Sequence, residues 1–495
     1  MRRSLCAMNG LVALLGAALA FAPVPAQAGK RDKLVERELA AHIAILASDD
    51  FGGREPGTPG EAKTLRYLGA QWFDAGLVSG TNDPGHEWFA PVTLVGREPA
   101  ASTAQFMRKG RRIPLGPNDV LMLTSGKRAL VENAPLVFVG YGQVPLGRNE
   151  LSGRVAVLLA GQDNNGARQN ELLKAGAGAV LTVLDGDRSI SEVSARRRRS
   201  GYALASDAIG GDLEGFMSAA AFNQMLSGSP QGLAALETEA KAANFTPHPL
   251  DLTATLEATT RETTVHTHNL IGKIEGKHPE LGAVLFLAHW DHFGQCAEPP
   301  AEHLICNGAI DNASGLAVIT EVAKRLSKMP QSDRDIYFLA TTGEELGLLG
   351  AQAFAENPPI PLKQFVAAFN VDSVAIAPAG APFAIVGKGM TALDPAIAAF
   401  AKADKRRMVN DSAANAYVKR QDGWALLHHD VPAVMVTTAY GDITLVERFF
   451  DTDYHRPTDV PKSSIELGGA ADDVSFLITL GRAFADPRKY PLKSK

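Results

Sequence analysis

From Thr264 onward the chain alternates short, unbroken apolar runs with longer segments of helical spacing. "AVLFLAH" (283–289), "DIYFLATT" (335–342), "FVAAFNVD" (365–372) and "PAVMVTT" (432–438) show no polar alternation, as expected of strands buried on both faces. Between the first two, "SGLAVITEVAKRLSKM" (314–329) places Leu316, Ile319, Val322, Ala323 and Leu326 on one helical face. This succession predicts an α/β fold, with a doubly wound, mostly parallel central sheet and helices on both faces.

Two further helical patterns occupy 33–77, separated by the turn-rich stretch "GGREPGTPG" (52–60). The second presents Leu65, Leu68, Trp72 and Phe73, with Leu77 after the stop at Gly76, and these read as core contacts. Between about Pro99 and His248 the texture changes. "APLVFVGYG" and "GRVAVLLAG" read as short strands, and "LLKAGAGAVLTVLDG" reads as helix, turn and strand. The basic run "ARRRRSG" (195–201) reads as a solvated loop.

The 495 residues are 45% hydrophobic and 21% charged, an ordinary globular balance with room for two domains or more. A formal net charge of -5 argues against nucleic acid as a partner. At the N-terminus, Arg2 and Arg3 precede an apolar stretch from Leu11 to Ala22 and a small-x-small "AQA" ending at Ala28. That stretch is short of the roughly 20 residues a spanning helix needs. It predicts a cleaved signal peptide over 1–28 and an exported mature chain, periplasmic or secreted, with no stable membrane anchor. Cys296 and Cys306 are the cysteines left after cleavage, and an oxidising compartment favours a disulfide across "CAEPPAEHLIC".

Polar residues gather where the apolar runs end. "LAHWDHFG" supplies His289 and Asp291, "GAIDNASG" supplies Asp311, and "GEELG" supplies Glu344 and Glu345. "FNVDS" ends on Asp372, and "DYHRPTD" carries His455 and Asp459. Sites in open α/β sheets form outside the carboxyl ends of the strands, so these separated motifs can converge on one crevice. Histidine nitrogens and carboxylate oxygens together suit zinc or a related divalent ion. Buried carboxylates without a cation would be costly or protonated.

In this order, the five motifs resemble those of the co-catalytic di-zinc aminopeptidase family that includes aminopeptidase Y and glutamate carboxypeptidase. The resemblance covers most of the mature chain. It implies two Zn²⁺ per chain, with His289 and Asp372 on one, Glu345 and His455 on the other, and Asp311 bridging. It also implies that Asp291 orients the His289 imidazole and that Glu344 is the general base toward a metal-bridging water. The activity it implies is hydrolysis of the N-terminal peptide bond of peptides with a free N-terminus. The middle of the chain is similar to the protease-associated domain inserted in such enzymes. The expected organisation is therefore a signal peptide (1–28), an N-terminal part of the peptidase domain (29–98), a smaller β-rich inserted domain (99–255) and the catalytic domain (256–495).

The chain departs from the family pattern near the substrate pocket. Where a serine–aspartate pair is usual, "RQDGWALLHHDVP" (420–432) has Gln421 before Asp422, and His428, His429 and Asp430 follow. Tyr417 is a candidate oxyanion helper. His292 is expected to be a hydrogen-bonded wall residue and not a ligand. His266, His268 and His303, with His428 and His429, are expected on the surface or pocket rim. Trp290 and Trp424 fit either a pocket lining or the core. The alternatives are a carboxypeptidase or dipeptidase of the same superfamily, a glutaminyl cyclase-like acyltransferase that works with one zinc, and a metal-free binding protein. The first would use Arg420 for a terminal carboxylate, and the last two would lack part of the ligand set. Oligomeric state leaves no signature in the sequence.

Overall fold

The structure is a computed structural model and describes residues 32–161, 165–185, 189–197, 201–207 and 212–491. The expected signal peptide and the arginines of the basic run after Arg197 lie outside the described residues.

The predicted apolar runs are the centre of the sheet. Strands Ala433–Thr437, Phe365–Asn370, Ala283–His289 and Asp335–Thr341 lie side by side and parallel. Every residue in these four strands is buried. Ala384–Val386 flanks them antiparallel at one side and His248–Ile274 at the other. Side chains alternate between two cores. Val284, Phe286, Ile336 and Phe338 pack with helices Lys33–Leu46, Gly315–Leu326 and Gly468–Phe484. Leu285, Leu287, Tyr337 and Leu339 pack on the opposite face with Phe354 and Leu426, from helices Leu349–Glu356 and Gly423–Leu427. Period-two alternation into two apolar layers is why the interiors of these strands carry no charged or amide side chain. Phe286 stacks between Phe338 and Phe369, with ring centroids 5.4 and 5.5 Å apart.

The N-terminal helices are closed by their own sequence. Asp32 caps Lys33–Leu46 by accepting from the Leu34 and Val35 amides, and Thr58 caps Pro59–Asp74. Leu65, Leu68, Trp72 and Leu77 are core residues as expected, but Phe73 is 69% exposed. It follows Trp72 directly, and neighbours on a helix point about 100° apart, so only one of the two can face the sheet.

A second group of strands, Arg128–Phe138, Val155–Leu159, Ala179–Val183, Leu213–Met217 and Val120–Thr124, continues the same hydrogen-bonded sheet beyond His248–Ile274. It builds a separate core from Leu136, Val157, Leu181, Met217 and Phe222. Two long strands join the halves. Phe89–Arg108 pairs antiparallel with His248–Ile274, from Leu270 opposite Phe89 to Thr253 opposite Met107. Toward both ends of this ribbon buried residues alternate with partly exposed ones, while its middle, around Glu98 to Ser102 and Arg261 to Thr264, is exposed. The expected limits at 98/99 and 255/256 fall inside these strands.

Candidate metal centre

Parallel strands in register bring their carboxyl ends to one level, where His289 pairs with Thr341. His289 is the last residue of its strand, and Glu344 and Glu345 come three and four residues after Thr341. Gly343 makes that turn, with φ at 59°, in the left-handed region that favours glycine. Asp372 follows the end of Phe365–Asn370 by two residues. Asp311 lies in the turn that enters helix Gly315–Leu326. That helix starts very close to the neighbouring strand end, because a Cβ on Gly315 would lie 2.3 Å from the Val371 carbonyl oxygen. The absence of that carbon lets Asp311 and Asp372 approach the same point.

His289 Nε2 lies 3.1 Å from Asp311 Oδ1 and 3.5 Å from Asp372 Oδ1. On the other side of Asp311, His455 Nε2 lies 3.4 Å from Asp311 Oδ2 and 3.0 Å from Glu345 Oε2. Asp311 therefore offers one oxygen to each histidine. The five expected ligands converge, with Asp311 in the middle. Both Nε2 atoms are shielded from solvent and have no hydrogen-bond partner of good geometry among the described residues. A buried nitrogen left unpaired is costly, and a cation between it and the carboxylates removes that cost. His289, Asp311 and Asp372 form one cluster with metal-ligating spacing, and His292, Asp311 and Glu345 form another. The donor set of imidazole nitrogen and carboxylate oxygen fits a divalent cation.

The supporting contacts are specific. Asp291 is fully buried, and its carboxylate accepts from the Glu344 amide at 3.1 Å and the Glu345 amide at 3.4 Å. His289 Nδ1 lies 3.1 Å from the Asp291 backbone oxygen and 3.9 Å from its Oδ1. The Asp291 carboxylate thus fixes the di-glutamate turn, and its carbonyl faces the imidazole. Asp459 accepts from the amides of Ile310 and Asp311 at 2.9 and 3.0 Å, holding the bridging turn. Arg54, fully buried, donates to the carbonyls of Trp290, Leu46, Asn307 and Gly308 beneath the site. His292 Nδ1 contacts Glu345 Oε1 directly. His292 also lines the cleft beside Phe293 and Cys296, the hydrogen-bonded wall position expected for it.

Without a cation, charge crowding dominates the ionisation of the cluster. Burial, with Glu345 and Asp372 nearby, holds Glu344 well above the usual carboxylate range. Burial works against a charged His289, but Glu344, Asp372 and Asp311 outweigh it and raise the imidazole well above its ordinary value. Burial also works against a charged His455, but the Asp311 and Glu345 carboxylates beside it raise it to about 9. Asp422, buried behind Thr341, is pushed up to about 7. A site that draws its histidines positive in this way attracts cations strongly.

A pocket opens beside Asp311, Glu344 and Asp372, and Tyr417, Tyr440 and Tyr454 are among its walls. Tyr417 was expected near the site. Tyr440 and Tyr454 were not, although Tyr440 follows the end of strand Ala433–Thr437 closely enough for the strand-end rule to reach it. Tyr454 stacks on His455, with ring centroids 3.6 Å apart. Trp290 is fully buried and donates from Nε1 to the His268 carbonyl, so it belongs to the core. Trp424 packs partly buried against the core. His303 bonds Asp49 and the Pro457 carbonyl, away from the cluster. Cys296 and Cys306 are bonded to each other, with Cα atoms 5.6 Å apart, and Cys296 lines the cleft on the His292 side.

Comparison with known proteins follows the same region of the chain. The profile of "Peptidase family M28" matches residues 269–474. The chain is 31% identical over 153 residues to aminopeptidase YwaD of Bacillus subtilis (strain 168), covering 30% of each protein. It is 36% identical over 103 residues to the alkaline phosphatase isozyme conversion protein of Escherichia coli (strain K12), covering 19% of this chain and 29% of that one. The chain thus spans less than a third of either relative's length. Among solved structures, an aminopeptidase from Aneurinibacillus sp. strain AM-1 shares the fold over 90% of this chain and 92% of its own, with TM-score 0.53 and 19% identity.

Proposed function

From the match of residues 269–474 to the profile of Peptidase family M28, we propose that this chain is an exported zinc aminopeptidase acting on peptides with a free N-terminus. The observation that carries the reading is the pair of buried, unpartnered Nε2 atoms of His289 and His455, turned on opposite oxygens of Asp311. His289 and Asp372 would hold one zinc, Glu345 and His455 the second, and Asp311 both. Bound zinc supplies Lewis acidity, which makes a water nucleophilic near neutral pH and polarises a carbonyl.

The protein's own groups do the rest. Glu344 is beside the ligands without being needed as one, because Glu345 is the member of the pair that faces His455. Its carboxylate takes the proton of the attacking water and delivers it to the leaving amine. Asp291 keeps Glu344 at that distance by binding its backbone amide. Tyr440 and Tyr417 line the pocket in which the scissile carbonyl would sit, and a tyrosine hydroxyl there can donate to a developing oxyanion. Export rests on the leader-like residues 1–28, and the lobe built on residues 99–255 is read as a protease-associated domain.

The test is Glu344→Gln, assayed on leucyl-aminomethylcoumarin with metal content measured on the same sample. Both metals should remain while turnover falls on the order of 10²–10⁴-fold. Near-normal turnover with metal retained would sink the assignment of Glu344.

A further inference from the structure

The pocket beside Asp311, Glu344 and Asp372 is walled by Ser373, Tyr417, Arg420, Tyr440, Phe450 and Tyr454. Arg420 is the one basic side chain in that lining among the described residues. Its guanidinium carbon lies 6.0 Å from the Tyr417 ring centre and 5.6 Å from that of Phe450. Those two rings stack on each other, 5.3 Å apart and 15° from parallel. The charged group is thus steadied against an aromatic pair. Among the described residues, no carboxylate lies within 4.0 Å of it. Its charge and its forked donors are therefore uncommitted.

We propose that Arg420 selects peptides that present a carboxylate to this pocket. The proposal deepens the aminopeptidase reading and rests on it. Asp311, Glu344, Glu345 and Asp372 carry as much negative charge as two zinc ions would match. The Arg420 cation is then left over, and the remaining wall is uncharged: Ser373, Phe450 and three tyrosines. A neutral aliphatic side chain would use the aromatic wall and leave the guanidinium unanswered. A carboxylate answers it with a planar, bidentate partner. The carboxylate has two chemical sources: an acidic side chain on the N-terminal residue, or the free C-terminus of a dipeptide. Both need the same Arg420 contact.

The experiment uses the zinc-loaded enzyme and two matched substrate pairs. Glutamyl- against glutaminyl-aminomethylcoumarin tests the side chain, and Leu-Gly against Leu-Gly-amide tests the C-terminus. In one pair the charged member should lead in kcat/KM on the order of fivefold, the size expected of a partly exposed ion pair. The pair that responds identifies the source. The preference should lie in KM, because the contact exists before and during reaction. Arg420→Gln should bring that ratio to about one, Arg420→Lys should keep part of it, and Arg420→Glu should invert it. Flat ratios in the wild type, with leucyl-aminomethylcoumarin still turned over, would overturn the inference alone. So would a ratio that survives Arg420→Gln. No turnover of any of the five substrates would overturn the peptidase reading and the inference with it.

Discussion

His292 sits one position past Asp291, and its contact with Glu345 Oε1 leaves Oε2 to face His455. That arrangement turns the Glu345 carboxylate so that one oxygen is committed to protein and one to the centre. Groups that orient a ligand in this way commonly matter 10–100-fold in metal affinity. His292→Ala should therefore weaken zinc retention by roughly that factor, read by competition with a chromogenic chelator. Unchanged retention would show that Glu345 is held by its backbone alone. At this scale, His289, Glu345 and Asp372 could be expected together because each follows an apolar strand that ends at the same edge of the sheet, whereas Asp311 enters from the turn before helix Gly315–Leu326 and His455 from beyond helix Ile443–Thr452. The aromatic wall was not legible. Tyr440 and Tyr454 carry no charge, and an aromatic beside a strand end looks like any core residue. Phe73 was misread for a related reason, since an apolar letter next to Trp72 does not say which of the two faces inward.

Helix Gly315–Leu326 carries a second buried charge, Glu321, away from the metal centre. Its side chain is 1% exposed and meets His42 Nε2 at 3.0 Å, Lys324 Nζ at 3.2 Å, and Arg325. Burial alone would raise its pKa, but the bonds from His42 and Arg325 overcome this and lower it from 4.5 to about 2. A folded-state pKa below the unfolded value means stability that is fully present above pH 4.5 and lost as pH falls toward 2. Glu321→Gln should therefore destabilise the protein on the order of 2–4 kcal/mol at pH 7. The gap in unfolding free energy between the two proteins should narrow as the buffer is taken from pH 4.5 to pH 3. A gap that stays constant with pH would mean the carboxylate's charge is irrelevant there. The rim loop gives a second test at this scale. Cys296 and Cys306 are 10 positions apart, and closing a loop of that size is worth about 2–3 kcal/mol in the chain-entropy account. The double change Cys296→Ser and Cys306→Ser should lower the denaturation midpoint and raise KM more than it lowers kcat, because the ligands stand on the sheet and the loop forms a cleft wall. An unchanged KM would remove the loop from the cleft.

Taken whole, the molecule is two groups of strands on one continuous sheet, each with its own packed core residues, joined by the ribbon of Phe89–Arg108 and His248–Ile274. The parallel strands were legible because burial on both faces leaves polar letters only at their ends. The ribbon was not, because its exposed middle reads like a loop while its backbone pairing runs through it with one register shift at Thr259/Thr260. Backbone hydrogen bonds do not depend on side-chain type, so composition cannot reveal them. Among the described residues no helix is long and apolar enough to cross a membrane. The organisation concentrates function on one half. All five expected ligands lie within residues 289–455, at the carboxyl edge of the parallel strands.

The placement of His289 and His455 on opposite oxygens of Asp311 points to a two-cation site shared through that residue. Metal analysis by plasma mass spectrometry, after equilibration with zinc and removal of loosely bound ion, tests it directly when wild type, Asp311→Asn and Glu345→Ala are run together. Two zinc ions per chain are expected in the wild type, with loss from both positions in Asp311→Asn and loss mainly from one in Glu345→Ala. Two tightly held ions in Asp311→Asn, or fewer than one in the wild type, would contradict it.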